Sequence, residues 1–154
     1  MHEQQKKKIR ILPTTYFLSS LVLSIGLHFV FPIIRLIYPP YSYLGYVFIV
    51  FGGVMNVWTD TVFKKSNTTV KPYLSPTTLI THGPFRISRH PMYLGMTAVL
   101  LGAAVIHGSL IGFVLTVLFV VTMDIGFIPL EEKKCREAFD QQYLDYQKKV
   151  RRWI

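Results

Sequence analysis

The chain has 154 residues, of which 51% are hydrophobic and only 16% are charged, and its mean hydropathy is +0.36. The length suits one domain, and the composition is too apolar for an ordinary soluble domain, so it indicates a membrane protein. The single cysteine, Cys135, excludes a disulfide framework and any metal site built from several cysteines.

Four apolar stretches predict an all-α, polytopic membrane protein that forms a single domain over residues 1–154. We place the transmembrane helices at about residues 14–37, 43–63, 91–107 and 110–130, since ~20 apolar residues cross the hydrocarbon core. A loop over residues 64–90 and a tail over residues 131–154 lie outside these helices. The turn between the third and fourth helices is so short that these two helices must lie antiparallel and side by side.

The distribution of positive charge predicts the orientation in the membrane. Of the 17 Lys and Arg residues, all but Arg35 lie before the first helix, in the long loop or in the tail. By the positive-inside rule these segments, and therefore both termini, are cytoplasmic. The net charge of +9 then reflects topology and attraction to membrane lipid, and no nucleic-acid partner is predicted.

The tail carries a helical stripe of aromatic and apolar side chains at alternating spacings of four and three. Its members are Phe139, Tyr143, Tyr146, Val150 and Trp153. Because basic residues surround the stripe, the segment is expected to form an amphipathic helix. This helix either lies on an anionic leaflet or folds against the long loop.

Donor groups gather where the third helix begins. Pro91 suits the first turn of a helix, because its missing N–H would be unpaired there anyway. The free N–H groups and the positive end of the helix dipole then point at whatever lies in front. Arg89 and His90 add side-chain donors at the same place, so the sequence predicts a seat for an anion or a carboxylate.

Acidic side chains gather where the fourth helix ends, next to those donors. Asp124 precedes Glu131 by seven residues, which places both on one helix face, and Glu132 follows. A cationic and an acidic group at membrane level suit a zwitterionic ligand, while the lipid side stays open to an apolar substrate. No HExxH or histidine-rich pattern is present, so no metal site is predicted.

Two further patterns have two interpretations each. Gly95, Ala98 and Gly102 share one face of the third helix, which offers a smooth surface either to another helix or to a flat ligand. Asn56 and Asp60 share a face near the end of the second helix. Asp60 is there either as a solvated residue at the boundary or as part of a site.

The second half of the chain resembles the isoprenylcysteine carboxyl methyltransferase and phospholipid methyltransferase family. The resemblance is carried by the segments 79–86 and 89–95 (LITHGPFR and RHPMYLG), by Glu131-Glu132 and by the closing Y-x-x-Y-x-x-x-V-R-R-W of residues 143–153. It implies transfer of a methyl group from S-adenosylmethionine to a lipophilic or membrane-borne acceptor at the cytoplasmic face. An isoprenylcysteine-type carboxylate and a phospholipid amine both remain open as acceptors.

The resemblance also implies roles for individual residues. The implied cofactor-binding residues are His82, Gly83, His90, Pro91, Tyr93, Gly95 and Glu131. The implied catalytic residues are Arg89, which would hold a carboxylate of the cofactor or the acceptor, and Glu131 and Glu132. A carboxylate acceptor needs no base, whereas an amine or thiol needs one, and Glu131, Glu132 or Asp124 is the candidate. Family tails often have Gly where Asp140 stands and Leu where Cys135 stands.

Two other functions are compatible with the sequence. The RHP motif and the basic aromatic tail are also similar to the C-terminal part of membrane sterol reductases, which would make the chain an NADPH-dependent reductase; the chain is short for such an enzyme. A non-enzymatic membrane adaptor that binds anionic lipid or a partner would explain the charges and the tail. It would not explain the acidic pair that faces Arg89 and His90.

Overall fold

A computed structural model describes residues 12–30, 35–66 and 78–154 of the chain. The described residues form five α-helices: α1 (Pro13–Val30), α2 (Leu44–Lys65), α3 (Pro91–His107), α4 (Leu110–Thr122) and α5 (Ile128–Lys149). A π-helical segment, Met123–Phe127, joins α4 to α5 without a break. Short 3-10 turns, Tyr41–Tyr43 and Gly83–Arg86, lead towards α2 and α3.

The helices are those of an integral membrane protein. Three described segments are long and apolar enough to cross a membrane, namely Pro13–Val30, Tyr41–Lys65 and Leu110–Lys149, and Pro91–His107 is a shorter apolar helix. Many large apolar side chains on α1, α2 and α4 face outwards, among them Phe29, Val57 and Val117. Such exposure suits contact with lipid rather than water. The all-α membrane fold is confirmed, and the count of four spans stays a prediction.

The predicted end of the first span, at residue 37, is wrong. Helix α1 ends at Val30, and residues 31–34 lie outside the described residues. Beyond them, Arg35 forms an isolated β-bridge with Ser109, and the Leu36 N–H donates to the Gly108 carbonyl at 2.7 Å. Backbone pairing with the α3–α4 turn therefore replaces helical hydrogen bonds there. Helix α2 ends at Lys65, two residues beyond the predicted end of the second span, and α3 covers Pro91–His107, the range predicted for the third.

No helix break marks the boundary predicted at residue 131 between the fourth span and the tail, and that boundary stays a prediction. Helical structure continues through this point to Lys149. The irregularity lies at Asp140 instead, where φ is 41° and ψ is −117°. Residues with a Cβ rarely adopt this conformation, whereas glycine adopts it readily. The kink thus falls at the position where the resembling family often has glycine.

Helices α2 and α3 approach each other at backbone distance through facing glycines. A Cβ added to Gly52 would lie 2.4 Å from the carbonyl oxygen of Gly95, and one added to Gly102 would lie 2.6 Å from that of Gly45. Small residues permit such close approach between membrane helices. The interpretation of the Gly95 face as a helix-packing surface is confirmed.

The aromatic stripe of the tail packs against the rest of the protein. Tyr143 and Tyr146 are buried, and the Tyr146 hydroxyl donates to the Phe85 carbonyl at 2.6 Å. Their cluster contains Val62, Ile80, Phe85, Tyr143 and Tyr146. The tail therefore folds against the loop that precedes α3. A second buried cluster lies below this loop and contains Tyr93, Met96, Leu100, Phe119, Met123 and Ile128, with Trp153 against it.

The glycine contact predicts a sharp difference between two neighbouring substitutions. Gly52→Ala should lower the stability of the detergent-purified protein by about 1–3 kcal/mol, because its methyl group meets backbone atoms that cannot move aside. Gly53→Ala meets nothing within 4 Å and should leave stability unchanged or raise it, since alanine favours helix by up to ~1 kcal/mol. Melting temperatures of both variants measure this, and equal values would contradict the close packing.

Candidate active site

The loop in front of α3 is fixed by a buried serine. The Ser88 hydroxyl donates to the carbonyl of Arg152 at 3.0 Å and accepts the backbone N–H of His90 at 3.1 Å. Pro91 then occupies the first turn of α3, as its missing N–H favours. These contacts set the backbone at Arg89 and His90, the residues whose side chains face α5.

His90 and Tyr93 hold Glu131 between them. Their rings stack with centroids 5.8 Å apart and an angle of 9° between the planes, as residues three apart on a helix end can do. The Tyr93 hydroxyl donates to Glu131 Oε1, and His90 Nδ1 lies 3.3 Å from Glu131 Oε2. Both carboxylate oxygens of Glu131 are thus engaged from the head of α3.

Glu132 is a buried carboxylate held by two guanidinium groups, and only 3% of the residue is exposed. Arg89 Nη1 lies 3.0 Å from Oε1, and Arg152 Nη2 lies 3.0 Å from Oε2. A third group, His90 Nε2, lies 3.6 Å from Oε1. A buried charge is tolerated only with such partners, because its loss of hydration otherwise costs several kcal/mol.

Asp124 joins the same network through Arg152. Asp124 Oδ1 accepts from Arg152 Nη1 and from Trp153 Nε1, each at 3.1 Å. Asp124 lies in the π-helical segment, whose wider turn takes up about one extra residue. Glu132, eight residues later, therefore shares the arginine with Asp124.

The structure brings together five of the predicted site residues and places the others elsewhere. The five are Arg89, His90, Tyr93, Glu131 and Glu132, with Pro91 buried beneath them. His82 is exposed, and Gly83, with φ of 64°, lies against Trp58 and Val62 of α2. Gly95 faces Asn56 and Gly52. Asp60 pairs with Lys64 at 2.6 Å on the surface, which agrees with the solvated interpretation.

Three residues of the network were absent from the sequence-based site: Ser88, Arg152 and Trp153. From the sequence, Arg152 is expected on the basic surface of the tail, because its acidic partners lie 20 and 28 residues earlier in the chain. The available signal was the closing V-R-R-W motif. An arginine beside a tryptophan after an amphipathic helix is also typical of a lipid-facing end, so the motif alone did not separate the two roles.

The imidazole of His90 is held towards its charged form. Burial lowers its pKa, but the close contacts that the imidazole makes with the carboxylates of Glu131 and Glu132, and their negative charges, outweigh burial, so the pKa is raised above its ordinary value of 6.5. His90 therefore keeps its proton to a higher pH than a free histidine does. The head of α3 then carries the positive charges of Arg89 and His90 beside two carboxylates.

Two buried nitrogen atoms at this site have unused hydrogen-bonding capacity. Within the described ranges, Arg89 Nε has no hydrogen-bond acceptor, and the Glu132 oxygen that pairs with His90 Nε2 lies at 3.6 Å, beyond hydrogen-bonding distance. Both atoms belong to the head of α3, where the helix dipole also favours negative charge. Buried donors without acceptors are rare in folded proteins and call for a partner. A ligand carboxylate is a group that would supply one.

An apolar groove of about 410 Å³ runs between α2 and α3. Phe48 and Phe51 line it from α2, Leu94 and Ala98 line it from α3, and Ile154 borders it. Leu94 and Ile154 are the sequence neighbours of Tyr93 and Trp153, so the groove begins next to the ion-paired network. The geometry thus joins a polar site to a surface suited to an aliphatic chain.

These features define a class of protein: a helical membrane protein whose buried ion-paired site borders a lipid-accessible groove. The phospholipid methyltransferase family matches residues 41–142, and the chain belongs to this family. The family prediction from the sequence is confirmed.

Named relatives agree with this membership. The chain is 33% identical over 111 residues to probable protein-S-isoprenylcysteine O-methyltransferases of Oryza sativa subsp. indica and subsp. japonica, which covers 71% of the chain and 58% of each relative. A solved structure of the eukaryotic intramembrane Ras methyltransferase, an isoprenylcysteine carboxyl methyltransferase, superimposes with a TM-score of 0.67 at 26% identity. That match covers 92% of this chain and 51% of the solved one, so the chain spans little more than half the length of these relatives.

The raised pKa of His90 predicts a pH-dependent stability. Charged His90 stabilises the folded state fully below pH 6.5, and this contribution is lost as the pH rises through the raised folded-state pKa. The melting temperature of the native protein should therefore exceed that of His90→Asn most at pH 6, and the difference should shrink towards pH 9. Glu131→Gln removes a carboxylate partner of the His90 ring, so the melting temperature of this variant should depend less on pH over the same range. A difference that is constant with pH would refute the assignment.

Proposed function

We propose that the chain transfers a methyl group from S-adenosylmethionine to a lipophilic, membrane-borne acceptor at the cytoplasmic membrane face. The observation that carries the proposal is the ion-paired network of Arg89, His90, Glu131 and Glu132 beside an apolar groove. Family membership and the names of the relatives support methyl transfer. The same names favour an isoprenylcysteine-type carboxylate as the acceptor, with a phospholipid amine as the alternative.

The residues at the head of α3 fit S-adenosylmethionine, which carries one carboxylate and one ammonium group. The unsatisfied donors Arg89 Nε and His90 Nε2 suit the carboxylate. Glu131, whose side chain is 22% exposed, suits the ammonium. When bound, the cofactor supplies a methyl group activated by a sulfonium. His90, Tyr93 and Glu131 would hold it, and Arg89 would hold either its carboxylate or that of the acceptor.

The chain's own contribution to such a reaction is alignment and exclusion of water. Methyl transfer needs the acceptor, the methyl group and the sulfur in line at near-attack distance. The His90 and Tyr93 rings stack on each other, and the buried cluster around Tyr93 excludes water from that side of α3. An acyl or prenyl chain in the groove would direct the acceptor's polar head towards the head of α3.

The two glutamates differ in what they can do. Glu132 is fully engaged by Arg89 and Arg152, so its role is to hold these two cations in place. Glu131 is more exposed, and its partners are the neutral hydroxyl of Tyr93 and the titratable imidazole of His90. It is therefore the better candidate for accepting a proton from an amine. A carboxylate acceptor would need no base, and Glu131 would then serve in cofactor binding alone.

The orientation is part of the proposal. Arg89 and His90 begin α3 at one end of the bundle, and the lysines that end α2, Lys64 and Lys65, are basic too. The opposite end, where Arg35 meets Ser109, carries far less positive charge. The positive-inside rule then puts the site and both termini in the cytoplasm.

Binding of S-adenosylmethionine to the detergent-purified chain tests the proposal. Calorimetry should show binding that weakens about tenfold or more in Glu131→Gln and in His90→Ala, since each removes a charge-assisted contact. Glu137→Gln is the matched control, because Glu137 is a 65% exposed glutamate on the same helix that pairs with Lys133 at 3.9 Å. This variant should bind as the native chain does.

The same experiment separates the alternatives. NADPH is titrated in parallel, and binding of NADPH in place of S-adenosylmethionine would favour a reductase. Folded protein that binds neither compound would favour the adaptor. Equal loss of affinity in Glu137→Gln and Glu131→Gln would show that the acidic pair is not the binding site.

A further inference from the structure

The residues that follow α5 return to the head of α3. We call residues 150–154 the C-terminal clasp. The backbone N–H of Arg89 donates to the carbonyl of Arg151 at 3.1 Å, and the Ser88 hydroxyl donates to the carbonyl of Arg152 at 3.0 Å. Two consecutive carbonyls of the clasp thus bind the two residues that precede His90.

The side chains of the clasp are held from the opposite side by Asp124. One carboxylate oxygen, Oδ1, accepts from both Arg152 Nη1 and Trp153 Nε1, each at 3.1 Å. Arg152 also donates to Glu132, with Nη2 at 3.0 Å from Oε2. A chain of contacts therefore runs from Asp124 through the clasp to the loop that carries Arg89 and His90.

The place of Asp124 in the chain explains how it reaches the clasp. It lies in the π-helical segment between α4 and α5, and such segments redirect the side chains of an otherwise regular helix. Its side chain remains 39% exposed, and its Oδ1 is already engaged by two donors. Both facts suit a carboxylate that anchors the clasp better than one that takes a proton from an acceptor.

We propose that Asp124 is a positioning residue, which fixes the clasp through Arg152 and Trp153 and thereby sets Arg89, His90 and Glu132 for cofactor binding. This inference rests on the proposed function. The removal of Asp124 frees one face of Arg152 and the indole N–H of Trp153. The clasp then loosens, and the α3 head loses the two carbonyls that hold Ser88 and Arg89.

Tryptophan fluorescence reports the clasp directly. The chain has two tryptophans, Trp58 and Trp153, so the full chain with Trp58→Phe contains a single reporter. In this background, Asp124→Ala should raise the acrylamide quenching constant of Trp153 about twofold or more, and it should weaken S-adenosylmethionine binding about tenfold. Asp124→Asn keeps an acceptor oxygen but loses the charge, so its quenching constant and its cofactor affinity should lie between those of Asp124→Ala and those of the unsubstituted Asp124.

The matched control is Asp60→Asn. Asp60 is also a helical aspartate with a cationic partner, and its side chain is 42% exposed against 39% for Asp124. It lies on α2, away from the clasp, so its variant should change neither the quenching constant nor the cofactor affinity. If Asp124→Ala does not fold, Trp153→Phe removes the indole N–H together with part of the ring and should weaken cofactor binding about twofold to threefold.

Each outcome decides the inference. It is overturned if quenching rises while affinity is unchanged, or if affinity falls while quenching is unchanged, or if only the melting temperature falls. If the native chain binds no S-adenosylmethionine, the proposed function fails on its own. The role of Asp124 is then tested by quenching together with the pH profile of the melting temperature. This profile should lose its His90-dependent part in Asp124→Ala. An unchanged profile would overturn the inference.

Discussion

The buried carboxylate of Glu132 is the group on which the arrangement of the site depends. A charge with so little exposure needs partners, and it obtains them from Arg89, before α3, and from Arg152, after α5. The three residues are far apart in sequence. Their ion pairs therefore tie together the loop before α3, the last helix and the residues that follow it.

The helical framework supplies the rigidity that such a network needs. Facing glycines bring α2 and α3 to backbone contact, and Gly108, with φ of 62°, ends α3 and lets α4 return beside it. The groove between α2 and α3 then opens next to the network. This arrangement can hold a polar head group beside an apolar chain. A reaction on a membrane-borne acceptor requires both to be held.

Local patterns in the sequence predicted the helices well where the hydropathy decides their limits, as for α2 and α3. The predicted helix limits are wrong where a contact between residues distant in sequence determines the structure. The backbone of Leu36 pairs with Gly108, so the predicted helix does not reach residue 37, and Asp124 lies in the π-helical segment and shares Arg152 with Glu132. Neither effect has a signature in hydrophobic periodicity.

The site was predictable to a similar extent and for similar reasons. The short turn after α3 and the family resemblance together placed Arg89, His90 and Tyr93 opposite Glu131 and Glu132. Arg152 was missed because its role depends on the kink at Asp140 within α5 and on the return of the residues after α5 to the head of α3. Gly95 proved to serve the contact with α2, a use of small residues that sequence alone does not separate from ligand binding.

The most direct test of the account is methyl transfer itself, measured with the purified chain in liposomes and S-adenosylmethionine labelled in its methyl group. Acceptors are offered separately, an S-prenylated cysteine with a free carboxylate in one set of liposomes and phosphatidylethanolamine in another. The account predicts label in the organic-soluble product of one acceptor, and loss of that label in Glu132→Gln. Two results would contradict it: native protein that binds the cofactor but labels neither acceptor, or a Glu132→Gln variant that labels an acceptor as well as the native protein does.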